Sequence, residues 1–233
     1  MPTLPPWLIA FLRTLIVLGL PVALVLTNVR LIMSRAYLNY EYGKPNFPPD
    51  AYGFTQADRL TYAPIALDYL FNSERIDFLG RQTFPDGAKQ YNERELRHMA
   101  DVKVVTRGAM AVWLATGLIV VLSAIALGWR PETRPALRAG LVGGATLTVG
   151  ILVAIVAYVL INFNTFFTQF HKVFFEGDTW LFQWSDTLIR LFPLQFWSDA
   201  FVLIGVGALL EGSAIGAWAW WGLPALAGYP GKP

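Results

Sequence analysis

The chain has 233 residues, 55% of them apolar, with aromatic and charged residues each at 15%, a balance too apolar for one water-soluble core. A formal charge of +2 without a long Lys/Arg run excludes nucleic acid as a partner. The absence of cysteine excludes a disulfide, a thiolate metal site and a thiol nucleophile.

The first apolar run begins at Trp7 and has no small-residue cleavage signal near its end at Thr27 to Arg30, so it reads as a retained helix. The stretches from Gly108 to Trp129 and from Ala139 to Phe170 carry no charge and meet the roughly 20 residues needed to cross about 30 Å of hydrocarbon. The expected architecture is one integral membrane domain over 1–233, all α, with transmembrane helices at about 7–29, 108–129, 139–162 and 198–223. The short link from Gly128 to Arg138 holds Arg130, Arg134 and Arg138, whereas the longer link from Phe163 to Trp197 holds only Lys172 and Arg190. The denser short link is expected to be cytoplasmic, which puts both termini inside; residues 30–107 exceed the roughly 60-residue limit of the charge rule.

Residues 30–107 have no Gly/Ser linker and are rich in Tyr and Phe, so they read as a folded extracytoplasmic cap between the first two spans. Lys44-Pro-Asn-Phe-Pro-Pro-Asp50 is extended or turning chain, because proline fixes φ and biases its predecessor away from helix. Thr55 and Asp58 resemble a capping box, and Leu60, Ala63, Leu67 and Leu70 keep helical spacing interrupted only by Pro64. A further helix is expected from near Asn92, with Glu95 at its third position, running through His98 into the second span.

The chain has two histidines, His98 and His171, each roughly ten residues beyond the outer end of a span, or about 15 Å of helical rise above it. Shared side and height favour a common site; against that, a lone histidine is more often structural. Neither stands in a close-spaced His/Glu or His/Asp motif, so no metal is expected, and no Walker, dinucleotide or G-x-S-x-G pattern calls for a cofactor or a serine nucleophile. Asp101 follows His98 by three residues, so on a helix it could orient the imidazole or simply belong to a solvated face with Arg94, Arg97 and Lys103. The many Phe and Trp residues between Phe163 and Trp197 suit an interfacial belt, a greasy vestibule for acyl chains, or both. Glu211, near the middle of the fourth span, is either functional or a structural partner of Arg13. Gly140-x-x-x-Gly144 and Gly212-x-x-x-Gly216 suit close helix packing.

Tyr91-Asn-Glu-Arg-Glu-Leu-Arg-His-Met-Ala-Asp-Val-Lys103 closely resembles the signature of the lipoprotein intramolecular transacylase family. Phe170-His-Lys-Val-Phe-Phe175, Asp178-Thr-Trp180, Asp186-Thr-Leu-Ile189 and Pro193-Leu-Gln-Phe-Trp197 resemble its second block, and Asp50-Ala-Tyr-Gly-Phe-Thr55 with Asp58-Arg-Leu60 resembles its cap. The first span and the tail after Trp220 match only in hydropathy. The resemblance implies a multi-pass enzyme of the bacterial plasma membrane with its active site where cap meets membrane. Its members move the sn-2 acyl chain of a diacylglyceryl-modified lipoprotein onto the amine of that lipoprotein's own N-terminal cysteine, with membrane lipid as surroundings and no cofactor. His98 and His171 carry over as the catalytic pair, either one serving as base while the other steadies the oxyanion. Asp101, Tyr52, Phe54, Tyr62 and Trp180 are the expected substrate-binding residues. The rival reading is a non-catalytic membrane protein whose cap binds lipid or a partner protein.

Overall fold

The structure, a computed structural model, describes residues 4–223. Among them the chain forms nine α-helices: α1 (Pro6–Ile32), α2 (Arg35–Tyr42), α3 (Gln56–Phe71), α4 (Asp77–Gly80), α5 (Glu93–Gly128), α6 (Arg134–Ile161), α7 (Phe163–Phe174), α8 (Thr187–Leu191) and α9 (Leu194–Gly222). Among the described residues the one β pairing is an isolated bridge between Thr83 and Lys89. Four helices, α1, α5, α6 with its preceding short turn, and α9, are long and apolar enough to cross a membrane. The last ten residues, part of the tail expected to match only in hydropathy, lie outside the described residues.

The chain divides into two compact units. Of the described residues the first takes 4–29, 111–157 and 203–223, and the second takes 30–110 together with 158–202. The segment 158–202, which holds the link read from sequence as Phe163 to Trp197 together with the adjoining ends of two expected spans, therefore belongs with the expected cap, and it contains two helices of its own, α7 and α8.

In the first unit the small residues set the packing. A methyl group on Gly144 would meet the Leu20 side chain at 3.0 Å and the Ile16 carbonyl at 3.1 Å, and one on Gly216 would meet Ala145 at 2.9 Å, so both glycine pairs are used for close approach. Ile16, Leu127, Leu137, Leu141 and Ala219 are buried together, while Leu18, Leu118, Leu122 and Leu210 point outward, the inversion that a hydrocarbon solvent permits. Glu211 does not pair with Arg13. The Asn28 amide donates to its Oε2 at 2.9 Å, and Asn28 lies so close over Gly207 that any side chain there would collide with its carbonyl oxygen. Arg13 is exposed, its stem against Gly140. The partner was misjudged because an amide satisfies a carboxylate without the desolvation of a second charge.

The second unit is built like a small soluble domain. Ser34 caps α2 by accepting from the Tyr37 amide, and Thr55 and Asp58 form the expected capping box on α3, which continues through Pro64 to Phe71. The Lys103 ammonium holds the far end of α3 by donating to Asn72 Oδ1 and the Glu74 carbonyl while lying 3.9 Å from the Tyr69 ring centroid. Two apolar clusters fill the unit: Tyr37, Leu38, Tyr42, Ala63, Phe196 and Ala200 in one, and Ala66, Tyr69, Leu79, Tyr91, Met99 and Leu188 in the other. Tyr37 and Tyr42 donate their hydroxyls to the carbonyls of Phe196 and Leu191, tying α2 to the α8–α9 region.

Candidate active site

His98 stands in the second turn of α5, ten residues before the charge-free stretch opening at Gly108, and His171 stands near the end of α7. Three contacts fix the start of α5. Asn92 Oδ1 accepts from the Glu95 amide, Glu95 Oε2 accepts from the Asn92 amide at 2.8 Å, and the other oxygen of Glu95 accepts from the Leu188 amide at 2.7 Å. Glu95 is only 1% exposed, so one carboxyl both caps the helix bearing His98 and holds the first turn of α8. Burial pushes that carboxyl above the usual carboxylate range, against the lowering effect of the amides that donate to it. Asn92 also donates to Asp186, which accepts from the Gln183 amide, so the chain returning from His171 is anchored to the same helix start.

The two imidazoles lie nearly parallel, their centroids 6.1 Å apart and their planes 22° apart. Aromatic rings enclose them. Phe175 sits 4.9 Å from His98 and 5.5 Å from His171, Phe182 is 5.3 Å from His98, and Phe167 and Trp180 are 4.1 and 4.9 Å from His171. His98 is 7% exposed, and burial with His171 beside it lowers its pKa from 6.5 to about 4. Burial lowers His171 as well, partly countered by its bond to the Phe167 carbonyl. Among the described residues no three His, Asp or Glu side chains gather in a way that would hold a metal ion.

The hydrogen bonds distinguish the two rings. His171 Nδ1 lies 2.8 Å from the Phe167 carbonyl, which can only accept, so Nδ1 carries the hydrogen and Nε2 of the neutral ring keeps its lone pair. His98 Nδ1 is sealed from solvent with no partner. With its hydrogen on Nε2, the nitrogen that is not sealed, the neutral His98 ring has a donor to offer; with the hydrogen on Nδ1 it would have none outside its own wall.

Of the other expected site residues, Trp180 lies against His171. Asp101 is exposed and has no bond to His98. Tyr52, Phe54 and Tyr62 gather elsewhere in the unit: Phe54 is 5.8 Å from both Tyr62 and Phe84, and the Arg190 guanidinium sits 3.5 Å over Phe54 and 5.6 Å over Tyr52. Arg190 is held there by Asp50, whose oxygen it meets at 2.9 Å. The three therefore form a cap cluster organised by an ion pair and make no ring contact with the histidines. Phe167 and Phe175 stand four residues either side of His171, but their segment was read as a link and not as a helix, so neither stood out among its aromatic residues as a neighbour of that ring. Nor did Phe182, since only the fold of the loop brings it to His98.

A family model described as lipoprotein intramolecular transacylase Lit matches residues 14–197. A protein of Aquifex aeolicus described as uncharacterized is 27% identical over 192 residues, which cover 79% of this chain and 82% of its own. The fold matches the solved structure of the membrane integral lipoprotein intramolecular transacylase Lit from Bacillus cereus with a TM-score of 0.73 at 20% identity, over 93% of this chain and 97% of that one. Two variants of the Bacillus protein, each substituted at a histidine, match at a TM-score of 0.66 and 20% identity.

Proposed function

The chain belongs to the lipoprotein intramolecular transacylase family, and we propose that His98 and His171 carry out that family's acyl transfer in it. The reaction moves the sn-2 acyl chain of a diacylglyceryl-modified bacterial lipoprotein to the amine of the lipoprotein's own N-terminal cysteine. Donor and acceptor are arms of one molecule, so holding both arms still supplies much of the barrier reduction. The amine, with an ordinary pKa of about 7.7–8.0, attacks the ester carbonyl and forms a tetrahedral oxyanion. His171 Nε2, its lone pair directed by the Nδ1 bond to Phe167, takes the proton from the nitrogen and returns it to the glyceryl oxygen as that oxygen leaves. His98, kept neutral by burial, donates from Nε2 to the oxyanion, as a neutral imidazole does when its pKa is held low. The amide forms, the ester breaks, and the product is an isomer of the substrate.

The parallel pair at 6.1 Å inside one aromatic shell is the observation that supports this reading most. The arginines of the short link favour an orientation with both termini cytoplasmic and the histidines on the extracytoplasmic face of the bacterial plasma membrane. The test is expression of His98→Ala, His171→Ala, His98→Gln and His171→Gln in a host with diacylated lipoproteins, followed by mass spectrometry of their N-termini. Each alanine variant is expected to lose about 100-fold or more in rate. Glutamine at 98 restores part of the loss because it still donates, whereas glutamine at 171 restores none because it cannot accept a proton. Equal rescue at both positions would overturn the division of roles, and a wild-type rate in either alanine variant would remove that histidine from the site.

A further inference from the structure

Arg59, in the opening turn of α3, is a buried guanidinium that the proposed chemistry does not use. It is 5% exposed. Its Nε donates to the Arg190 carbonyl at 3.1 Å and its Nη1 to the Pro48 carbonyl at 2.7 Å, while its central carbon lies 4.9 Å from the Phe47 ring centroid. Among the described residues no carboxylate comes within ion-pair distance of it. A guanidinium stays protonated, so a full charge is held out of water by neutral partners, which is costly. The remaining nitrogen, Nη2, has no partner among the described residues and is not sealed.

The neighbouring charges are committed elsewhere. Arg190 meets Asp50 at 2.9 Å, and Lys44 lies 2.8 Å from Glu41 and 2.7 Å from Asp199. Asp58 turns its carboxylate back on Thr55 to cap α3. Burial disfavours the Arg59 cation, and Asp50, at longer range, offsets this most. Arg59 also lines a cavity of about 280 Å³, walled by Tyr42, Phe47, Pro48 and Phe54. Gln56, exposed at the first position of α3, stands at the same cavity, which therefore meets the positive end of a 16-residue helix.

From an unmatched buried guanidinium on the wall of such a cavity we infer a second binding site in this unit, one that takes a small carboxylate with an apolar body. The carboxylate accepts from Arg59 Nη2, and the apolar body lies against Phe47 and Phe54. One free guanidinium nitrogen matches a single negative charge, and the apolar walls suit a carbon body that inorganic phosphate lacks. The ligand supplies the counter-ion that the chain itself does not. Neither Phe47 nor Phe54 makes ring contact with His98 or His171, so the site is separate from the acyl-transfer centre.

Calorimetric titration of the full chain in detergent with benzoate, benzamide and inorganic phosphate tests this. Benzoate and benzamide share a shape and differ in charge, so benzoate is expected to bind about tenfold tighter or more. Arg59→Met keeps much of the stem and removes the donor, and should bring benzoate to the benzamide level. Because that change also frees the Pro48 and Arg190 carbonyls, a second variant leaves Arg59 in place. Gln56→Glu puts a carboxylate at the cavity and should weaken benzoate by about tenfold or more. It should also raise the thermal midpoint, since an acidic residue suits the first turn of a helix and offsets Arg59. Equal affinity for benzoate and benzamide, or undiminished benzoate affinity in Gln56→Glu, would overturn the inference and leave Arg59 as a strut between two carbonyls. Tighter binding of phosphate than of benzoate would overturn the choice of a carboxylate.

Discussion

A histidine enclosed by aromatic rings keeps its neutral form to lower pH than one in water, because the low dielectric disfavours the cation. For His98 the folded pKa of about 4 lies below the ordinary value near 6.5. Between those two values the unfolded chain binds a proton that the native chain does not, so stability falls as pH drops through that window and is unaffected by this group above it. Thermal midpoints measured from pH 7 to pH 4 should fall less steeply in His98→Phe than in wild type; equal slopes would contradict the burial of His98. Activity carries the same signature. The enzyme's own inflection in kcat/KM, from His171, is expected below 6.5, with a separate inflection near 8 belonging to the substrate amine. That the chain offers two histidines was plain from sequence, but which nitrogen faces the substrate was not. That depends on a carbonyl four residues back and on the absence of any partner for His98 Nδ1. Asp101 shows the opposite failure: helical spacing placed it one turn from His98, yet His98 is turned into the aromatic wall while Asp101 is exposed.

At the scale of elements, the cap helix α3 and the helix that carries His98 announced themselves by their caps. Thr55 with Asp58, and Asn92 with Glu95, both form the reciprocal bonds that their spacing implied. The reach of Glu95 to the Leu188 amide was not legible, because it joins positions 93 apart in the chain. Removing that carboxyl orphans the buried Leu188 amide and uncaps α5 at Asn92, so Glu95→Ala is expected to cost about 2–3 kcal/mol in chemical denaturation and to lower kcat, while Glu95→Gln, which keeps one acceptor, should cost less. α7 escaped the reading since its aromatic residues suit an interfacial belt as well as a helix face; the Asn162 side chain that accepts from the Thr165 amide is the signal that marks its start. Within the membrane-spanning unit the Asn28–Glu211 bond joins two long helices. Asn28→Ala should therefore lower stability by about 0.6–1.7 kcal/mol, and Arg13→Ala should leave stability unchanged; the reverse order would restore the ion pair expected from sequence.

For the whole molecule, hydropathy gave the four spans and arginine counting gave an orientation, and neither could assign 158–202 to the second unit, because that membership depends on contacts between distant segments. Arg138, on the short link side of α6, donates to the Trp220 carbonyl at 3.0 Å and lies 4.5 Å from the Trp220 ring centroid, so part of the charge used for orientation also holds the end of α9. With no native cysteine in the chain, single cysteines at the exposed positions Pro85 and Ser185 are expected to react with a membrane-impermeant reagent from outside sealed cells and one at the exposed Glu132 of the short link is expected not to. Labelling at Glu132 would invert the orientation. The central claim is that the acyl chain moves within one substrate molecule between two histidines, and intact-mass spectrometry of a purified diacylated lipoprotein incubated with the enzyme in detergent tests it most directly. The account predicts an unchanged mass, an N-terminus newly blocked to sequential degradation and a glyceryl group left with one chain, all without added phospholipid. A gain of one acyl mass, a requirement for phospholipid, or free fatty acid with the N-terminus still open would contradict it.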